Sequence, residues 1–189
     1  IPILLDLEGA LDQHKLKAAL NALIDRHEVL RTCIRVAEGH AVSGAGAAEQ
    51  HILSSLPSPW LYEDLTGFSE SSRQQRLQQI IEQTRGLPFD LSQGPLLRMA
   101  LIKLGDQRHQ LMFNLHHIIA DGWSMGVFIQ ELNALYRAFS QDLADPLPPL
   151  SIQYPDYAAW QRQWLACERL QVQADYWRHN LADAPVLIE

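Results

Sequence analysis

Apolar and polar residues recur with two different periods along this chain, and the changes of period mark its elements. The opening segment, "IPILLDLEG", is typical of a β-strand that ends at Gly9. The next, "LDQHKLKAALNALIDRHEVL", carries apolar residues three and four positions apart, the spacing of an amphipathic helix, and Asp12 is a candidate N-cap. The segment "RTCIRV" then predicts a second strand, because it changes to β-branched residues.

The middle of the chain predicts a loop, two short strands and a second helix. The segment from Ala37 to Gln50 is small and rich in Gly and Ala, which predicts a mobile surface loop. Short strands are predicted at "HIL" and "LYEDL". The segment "SSRQQRLQQIIEQTRGLPFDL" predicts a helix that ends at Gly86, with a proline just beyond it.

The second half predicts paired strands followed by helices. "GPLLRMALIKLGDQRHQLMFNLHHII" indicates two strands around a turn, and it is apolar at nearly every position, as in strands covered on both faces. "GWSMGVFIQELNALYRAFSQ" predicts a strongly amphipathic helix, and a Pro-rich connector leads to two final helices rich in Trp and Tyr. Because strands and helices interleave, we predict an α/β or α+β fold in which helices flank a mixed β-sheet.

Composition places the chain among ordinary soluble domains. It has 189 residues, 47% hydrophobic and 20% charged, with a net charge of −7, which gives no sign of nucleic-acid binding. No apolar run is long enough to span a membrane, and the N-terminus lacks the features of a signal peptide. The isolated Cys33 and Cys167 favour a reduced, cytoplasmic setting. The abrupt start within a strand suggests a fragment of a longer protein.

The candidate chemistry lies where the last predicted strand ends, in "NLHHIIADGWS" at residues 114–124. Neighbouring residues of a strand point to opposite faces, so His116 and His117 would not readily bind the same metal ion. No Cys–Cys or His–Glu–His spacing lies nearby, and we predict no metal site. Histidine at a strand end, close to Asp121, suits acid–base chemistry near neutral pH. The spacing alone leaves two interpretations open, a catalytic base with its support and a pair of structural histidines.

The segment "HHIIADG" is similar to the HHxxxDG signature of the condensation domains of nonribosomal peptide synthetases, which chloramphenicol acetyltransferase-like acyltransferases share. Further blocks resemble that family in the same order, which makes a chance match unlikely: "RHEVLRTCI", "DLSQGPLLRMALIKL", "YPDYAAWQRQWL" and "YWRHNLADAP".

The resemblance implies a fold and a place within a larger domain. Family members are pseudo-dimers of two chloramphenicol acetyltransferase-like lobes, with a tunnel between the lobes and the histidine motif midway along it. Residues 1–189 would then form the N-terminal lobe, without the family's first motif segment and without the C-terminal lobe. Since a single lobe has no closed tunnel, we expect the isolated fragment to show little or no turnover.

A reaction and its partners are also implied by the resemblance. The intact domain would form an amide (peptide) bond between a carrier-bound acyl or peptidyl thioester and a carrier-bound aminoacyl thioester. No cofactor would bind this chain directly, because 4′-phosphopantetheine is carried by the partner proteins. The implied partners are the upstream donor and downstream acceptor peptidyl carrier proteins, the C-terminal lobe and an adjacent adenylation domain, with no nucleic acid and no membrane.

The resemblance assigns a role to each residue of the motif. His117 would bind or deprotonate the attacking α-amine, and His116 would be structural. Asp121 would form an ion pair with an arginine that holds the loop, since a lone buried carboxylate is costly. The candidate partners are Arg31 and Arg26, both within the "RHEVLRTCI" block, and we prefer Arg31.

Three further residues follow from the same match. Gly122 would lie near the acyl thioester, where its backbone freedom permits a tight turn or the approach of a ligand. Trp123 and Ser124 come next and would be near the substrate, with Trp123 expected to serve packing rather than catalysis. An aromatic stripe at helical spacing downstream is expected to be core rather than a carrier-protein surface: Tyr154, Tyr157, Trp160 and Trp164.

Two alternatives stay open. The chain could be a non-catalytic docking or scaffold lobe with an incomplete site. It could also come from a related acyltransferase that uses acyl-CoA and a small alcohol or amine. A second lobe followed by an adenylation domain would favour the condensation domain over the acyltransferase.

Overall fold

A computed structural model describes residues 1–36, 48–56, 60–165, 168–182 and 184. The chain divides into two compact units, Ile1–Leu150 and Ser151–Glu189. Cys33 is buried with a free thiol, whereas Cys167 lies outside the described residues.

The first unit interleaves strands and helices in the predicted order. Its elements are β1 (Pro2–Glu8), α1 (Gln13–Arg26), a 3-10 turn (Glu28–Arg31), β2 (Thr32–Val36), β3 (Ala48–Ile52), β4 (Trp60–Asp64), α2 (Glu70–Gly86), β5 (Leu97–Gly105), β6 (Arg108–Leu115) and α3 (Gly122–Ser140). The predicted N-cap of α1 is confirmed, because the Asp12 side chain accepts hydrogen bonds from the backbone N–H groups of His14 and Lys15.

Four of the strands form a mixed sheet in the order β1-β6-β5-β4. β6 pairs antiparallel with both β1 and β5, whereas β4 pairs parallel with β5. The predicted mixed β-sheet is therefore confirmed. Because β6 lies inside the sheet with partners on both sides, the residues that follow Leu115 emerge from a fixed strand end.

Helices cover both faces of this sheet, as the continuous apolar runs predicted. Alternate residues of β5 divide between two hydrophobic clusters, with Leu101 in one and Ile102 in the other. The larger cluster contains the buried residues of α1 and most of those of α3, and the smaller one contains Ile80 of α2. α1 and α3 therefore pack together on the face opposite α2, and they form the wall from which the site is built.

The prediction of a loop from Ala37 to Gln50 is wrong at its C-terminal end. Residues 48–50 belong to β3, which pairs antiparallel with β2 in a separate two-stranded sheet. Glu49, for example, lies opposite Arg35. The composition of one segment does not reveal a strand whose hydrogen bonds come from a distant partner strand. Residues 37–47 lie outside the described residues.

The second unit contains α4 (Tyr154–Leu165) and α5 (Glu168–Asn180). The expectation that the aromatic stripe of α4 is core is wrong for this chain, because none of the residues of α4 is buried. Its rings instead contact one another in a row, with centroids about 6 Å apart: Tyr154, Tyr157, Trp160 and Trp164. In the described parts of the chain, no helix has the length and apolar character needed to cross a membrane.

Candidate functional site

The end of β6 is fixed on both faces of the sheet. The buried Asn114 side chain donates a hydrogen bond of 2.8 Å to the carbonyl oxygen of Thr84 at the end of α2. Its neighbour Leu115 is buried in the larger cluster with α1 and α3. The strand stops there, and His116 and His117 begin the turn that leads to α3.

His116 is a structural member of this turn. Its backbone N–H donates to the carbonyl oxygen of Leu96 at 2.9 Å, and its Nδ1 accepts from the backbone N–H of Ile118 at 3.0 Å. The half-buried ring also meets Phe89 edge to face, with centroids 5.8 Å apart. These contacts of the His116 backbone and ring hold the turn closed.

His117 is exposed, unlike its neighbour. The sequence argument for separating the two rings assumed that the strand continued through them, whereas the strand ends one residue earlier. The separation arises instead from the turn, which directs His116 against Phe89 and leaves His117 open to solvent.

Asp121 caps α3 through a reciprocal arrangement with Ser124. The Asp121 carboxylate accepts a hydrogen bond of 2.8 Å from the Ser124 backbone N–H, and the Asp121 backbone N–H donates to the Ser124 hydroxyl at 2.7 Å. Hydrogen bonding of the Asp121 carboxyl to the backbone and side chain of Ser124 holds its pKa below the usual value, and the nearby His117 acts in the same direction. Asp121 therefore stays ionised beside His117 while it starts the helix.

The expected ion pair between Asp121 and an arginine is not formed within the described residues. Arg31 Nη1 donates to the carbonyl oxygen of Leu53 at 2.6 Å, and its Nη2 lies 4.0 Å from Glu28. Arg26 pairs with Glu131 instead. The preference for Arg31 was wrong, because Asp121 is an exposed helix cap whose carboxylate accepts a hydrogen bond from Ser124.

Gly122 and Trp123 also differ from expectation. Gly122 is the first residue of α3, and its backbone does not require glycine, although nothing lies within 4 Å of where a Cβ would stand. The open space beside Gly122 therefore fits the approach of a ligand better than it fits a tight turn. Trp123 is 85% exposed, so it does not serve packing within this chain.

An apolar cleft of about 180 Å³ lies beside the histidine turn. The 3-10 turn forms one wall through Val29 and Leu30, and the first turns of α3 form the other. The α3 wall includes Trp123, Ser124 and Phe128, and the remaining lining comes from Leu115 at the end of β6 and from Ile119 and Ala120 of the turn. Such a volume is small beside drug-binding pockets and suits a single aliphatic group.

Sequence reasoning missed Glu131, whose carboxylate contacts Arg26 and His27 at the edge of this cleft. A signal was present: Glu131 follows Phe128 by three positions and precedes Leu135 by four, so it lies on the apolar stripe of α3. A charged residue on such a stripe requires a partner. Across the part of the chain that is described, no group of three or more His, Cys, Asp or Glu is arranged to hold a metal ion.

Comparison with known proteins identifies the family. The family model described as "Condensation domain" matches residues 1–187. The chain belongs to the condensation domain family. This family match covers almost the whole chain, so both the sheet and the histidine turn of this condensation-domain chain lie within it.

The condensation-domain chain is similar to segments of much longer synthetases. It is 42% identical over 189 residues to malpibaldin synthetase of Mortierella alpina, covering 100% of this chain and 3% of that protein. It is 41% identical over 189 residues to malpinin synthetase of the same organism, covering 100% of this chain and 2% of that protein. The chain thus matches the condensation domain of nonribosomal peptide synthetases and spans a few per cent of these relatives.

Among solved structures, the chain resembles the X-domain from teicoplanin biosynthesis in its complex with OxyB. The two are 32% identical with a TM-score of 0.80, and the match covers 100% of this chain and 40% of that chain. The condensation-domain chain therefore corresponds to less than half of that neighbour.

Proposed function

We propose that this chain is the N-terminal lobe of a condensation domain that joins two carrier-bound substrates through an amide bond. The observation that carries the proposal is the exposed His117, which follows a strand end fixed on both faces and lies near the ionised Asp121. The match of residues 1–187 to the family supports the reaction class, and the 40% coverage of the solved neighbour supports the assignment to one lobe.

The reaction needs an uncharged amine nitrogen and a place for one proton. The nitrogen of the acceptor's α-amine attacks the carbonyl carbon of the donor thioester, a C–N bond forms and the C–S bond breaks. The amine loses one proton, and the thiolate that leaves gains one, so the products are an amide and a free thiol. A neutral His117 ring would hold the amine by hydrogen bonding or accept its proton.

The surroundings of His117 assign tasks to the other motif residues. His116 keeps the turn closed, Asp121 and Ser124 start α3, and Gly122 leaves open space beside the start of that helix. The apolar cleft next to the turn offers room for an aliphatic part of a substrate. In this proposal Trp123, at the rim of the cleft, is near the substrate.

The proposed partners follow from the reaction. Donor and acceptor carrier proteins bring the substrates on 4′-phosphopantetheine arms, the C-terminal lobe closes the tunnel, and an adenylation domain lies nearby in the same assembly line. The proposal places this assembly in the cytoplasm.

The deciding experiment measures peptide transfer by the intact domain with both carriers loaded. We expect His117→Ala to lower kcat by about a hundredfold or more, in the range of a lost general base. His14→Ala, which removes an exposed histidine of α1, is the matched control and leaves transfer unchanged. Transfer by His117→Ala at the wild-type rate would contradict a catalytic role.

A docking lobe is the second candidate, and one comparison favours it. The solved X-domain that this chain resembles is in complex with OxyB. If this chain has a docking role, the intact domain binds a partner protein without peptide transfer, and substitution of His117 leaves that binding unchanged. Measuring transfer and carrier binding on the same variants separates the two candidates.

A further inference from the structure

The Glu131 carboxylate joins α3 to Arg26 and His27, which form the corner between α1 and the 3-10 turn. The Oε2 atom of Glu131 lies 3.2 Å from Arg26 Nε and 2.6 Å from His27 Nε2. The side chains of Glu131, Arg26 and His27 are only 14%, 12% and 21% exposed, respectively. Because an ionised carboxylate only accepts hydrogen bonds, both nitrogens donate to it. One oxygen atom therefore ties two successive residues of the corner to α3.

Packing alone does not require charged groups at this position. A largely buried ion pair loses hydration, and replacing all of its members by apolar side chains of similar volume is often equally stabilising. Helix α3 is already held on the sheet by Phe128, which meets Phe113 of β6 edge to face at 5.1 Å. The charged hydrogen bonds add direction, because they restrict the distance and angle at which α3 meets the corner.

The same corner and the same helix form two walls of the cleft beside the histidine turn. His27 lines the cleft from the corner, and Trp123 and Ser124 line it from α3. Helix α3 runs without interruption from Gly122 to Ser140, so Glu131 lies about two and a half turns from its start. A shift of α3 at Glu131 is therefore passed along the helix to the residues that follow the histidine turn.

We infer that Glu131 is a positioning residue for the proposed amide-forming reaction and sets the spacing between the α1 corner and the start of α3. The inference rests on the proposed function. Glu131 acts through α3 and does not touch the reacting atoms. A misplacement of about 1 Å can cost about a hundredfold in rate, so a replacement that preserves packing but loses the hydrogen bonds lowers turnover.

Two substitutions at Glu131 in the intact domain, assayed with loaded carriers, separate positioning from packing. Glu131→Met keeps the volume and removes both hydrogen bonds. We expect a lower thermal midpoint, because Arg26 and His27 lose this carboxylate, and we expect kcat of the folded variant to fall by about tenfold to a hundredfold, with KM for each carrier unchanged. Glu131→Gln keeps one accepting oxygen, and we expect it to recover much of the lost kcat.

Glu63→Met is the matched control. Glu63 forms a comparable ion pair with Arg76, at 2.5 and 2.8 Å, but it joins β4 to α2 on the opposite face of the sheet. We expect this control to leave kcat unchanged. A folded Glu131→Met with wild-type kcat overturns the inference, as does an equal loss of kcat in Glu63→Met.

The outcomes also separate this inference from the proposed function. Absence of transfer by the wild-type domain, or full transfer by His117→Ala, rejects the proposed function itself. Wild-type transfer that depends on His117 but not on Glu131 rejects only the positioning role. If Glu131→Met does not fold, Glu131→Leu, which also removes both hydrogen bonds, takes its place: a lower kcat at unchanged KM supports positioning, and an unchanged kcat overturns it.

Discussion

Asp121 and Ser124 hold each other at the start of α3, each through the backbone N–H of the other. The Asp121 carboxylate accepts from Ser124 N–H at 2.8 Å, and the Ser124 hydroxyl accepts from Asp121 N–H at 2.7 Å. This reciprocal cap links the histidine turn to a rigid helix. It also assigns Asp121 a role that needs a side-chain oxygen more than it needs a negative charge.

Asp121→Asn and Asp121→Ala distinguish a cap from an ion pair. Asparagine caps helices as well as aspartate, so we expect Asp121→Asn to keep most of the stability and transfer activity. Asp121→Ala removes the cap, and we expect a lower urea midpoint and reduced transfer. Equal loss in both variants would show that the charge matters, as in the arginine pair that the family resemblance implied.

His116→Asn tests the structural role of the first histidine. The His116 Nδ1 atom accepts a hydrogen bond from Ile118 N–H, and an asparagine oxygen can accept the same bond. We expect His116→Asn to retain more transfer activity than His116→Ala, and proteolysis at the turn to be faster only in the alanine variant. Equal activity of the two variants would contradict this role.

Gly94→Ala should destabilise the first unit. Gly94 has a φ of +64°, and a Cβ at this position would stand 3.1 Å from Cys33 Sγ. The left-handed backbone costs an L-residue roughly 1–2 kcal/mol, and the close contact adds to that cost. Urea unfolding measures the loss, and Gly67→Ala is the control because nothing lies within 4 Å of its Cβ position. Similar midpoints for both variants would refute the argument.

His109 makes stability depend on pH. Burial lowers the pKa of this β6 histidine, and Lys103 acts in the same direction. The unfolded state therefore binds a proton near pH 6.5 that the folded state resists, so stability is full above that pH and falls as the pH drops below it. We expect the thermal midpoint of His109→Gln to fall less between pH 7.5 and pH 5.5 than that of the wild type. Parallel pH profiles would exclude this contribution.

Local patterns predicted most of the fold correctly. Helix α1 with its N-cap Asp12, the paired strands β5 and β6, and α3 from Gly122 all follow from the spacing of apolar residues and from capping chemistry. These features depend on residues close together in the chain, where periodicity is informative. The first residues of β3 were assigned to a loop, although a short strand was predicted at "HIL", because the partner strand β2 lies across a segment whose composition favours a loop.

The candidate site was predicted only in part. The motif predicted His117 as the reactive residue and a helix that starts after Asp121. The structure places His117 and Asp121 in the same connection between β6 and α3. Its prediction of an arginine partner for Asp121 and of packing for Trp123 was wrong, because hydrogen-bond partners and exposure are set by the surrounding chain. The contact between Glu131 and His27 joins residues 104 positions apart, beyond the range of any local pattern.

The sequence by itself determined the order of strands and helices, the family blocks and the identity of the paired histidines, because each is written in neighbouring residues. Only the tertiary structure decided which histidine is exposed, what holds Asp121, and how α3 is tied to the end of α1. Those outcomes depend on hydrogen bonds and packing between residues that meet only when the chain folds around its sheet.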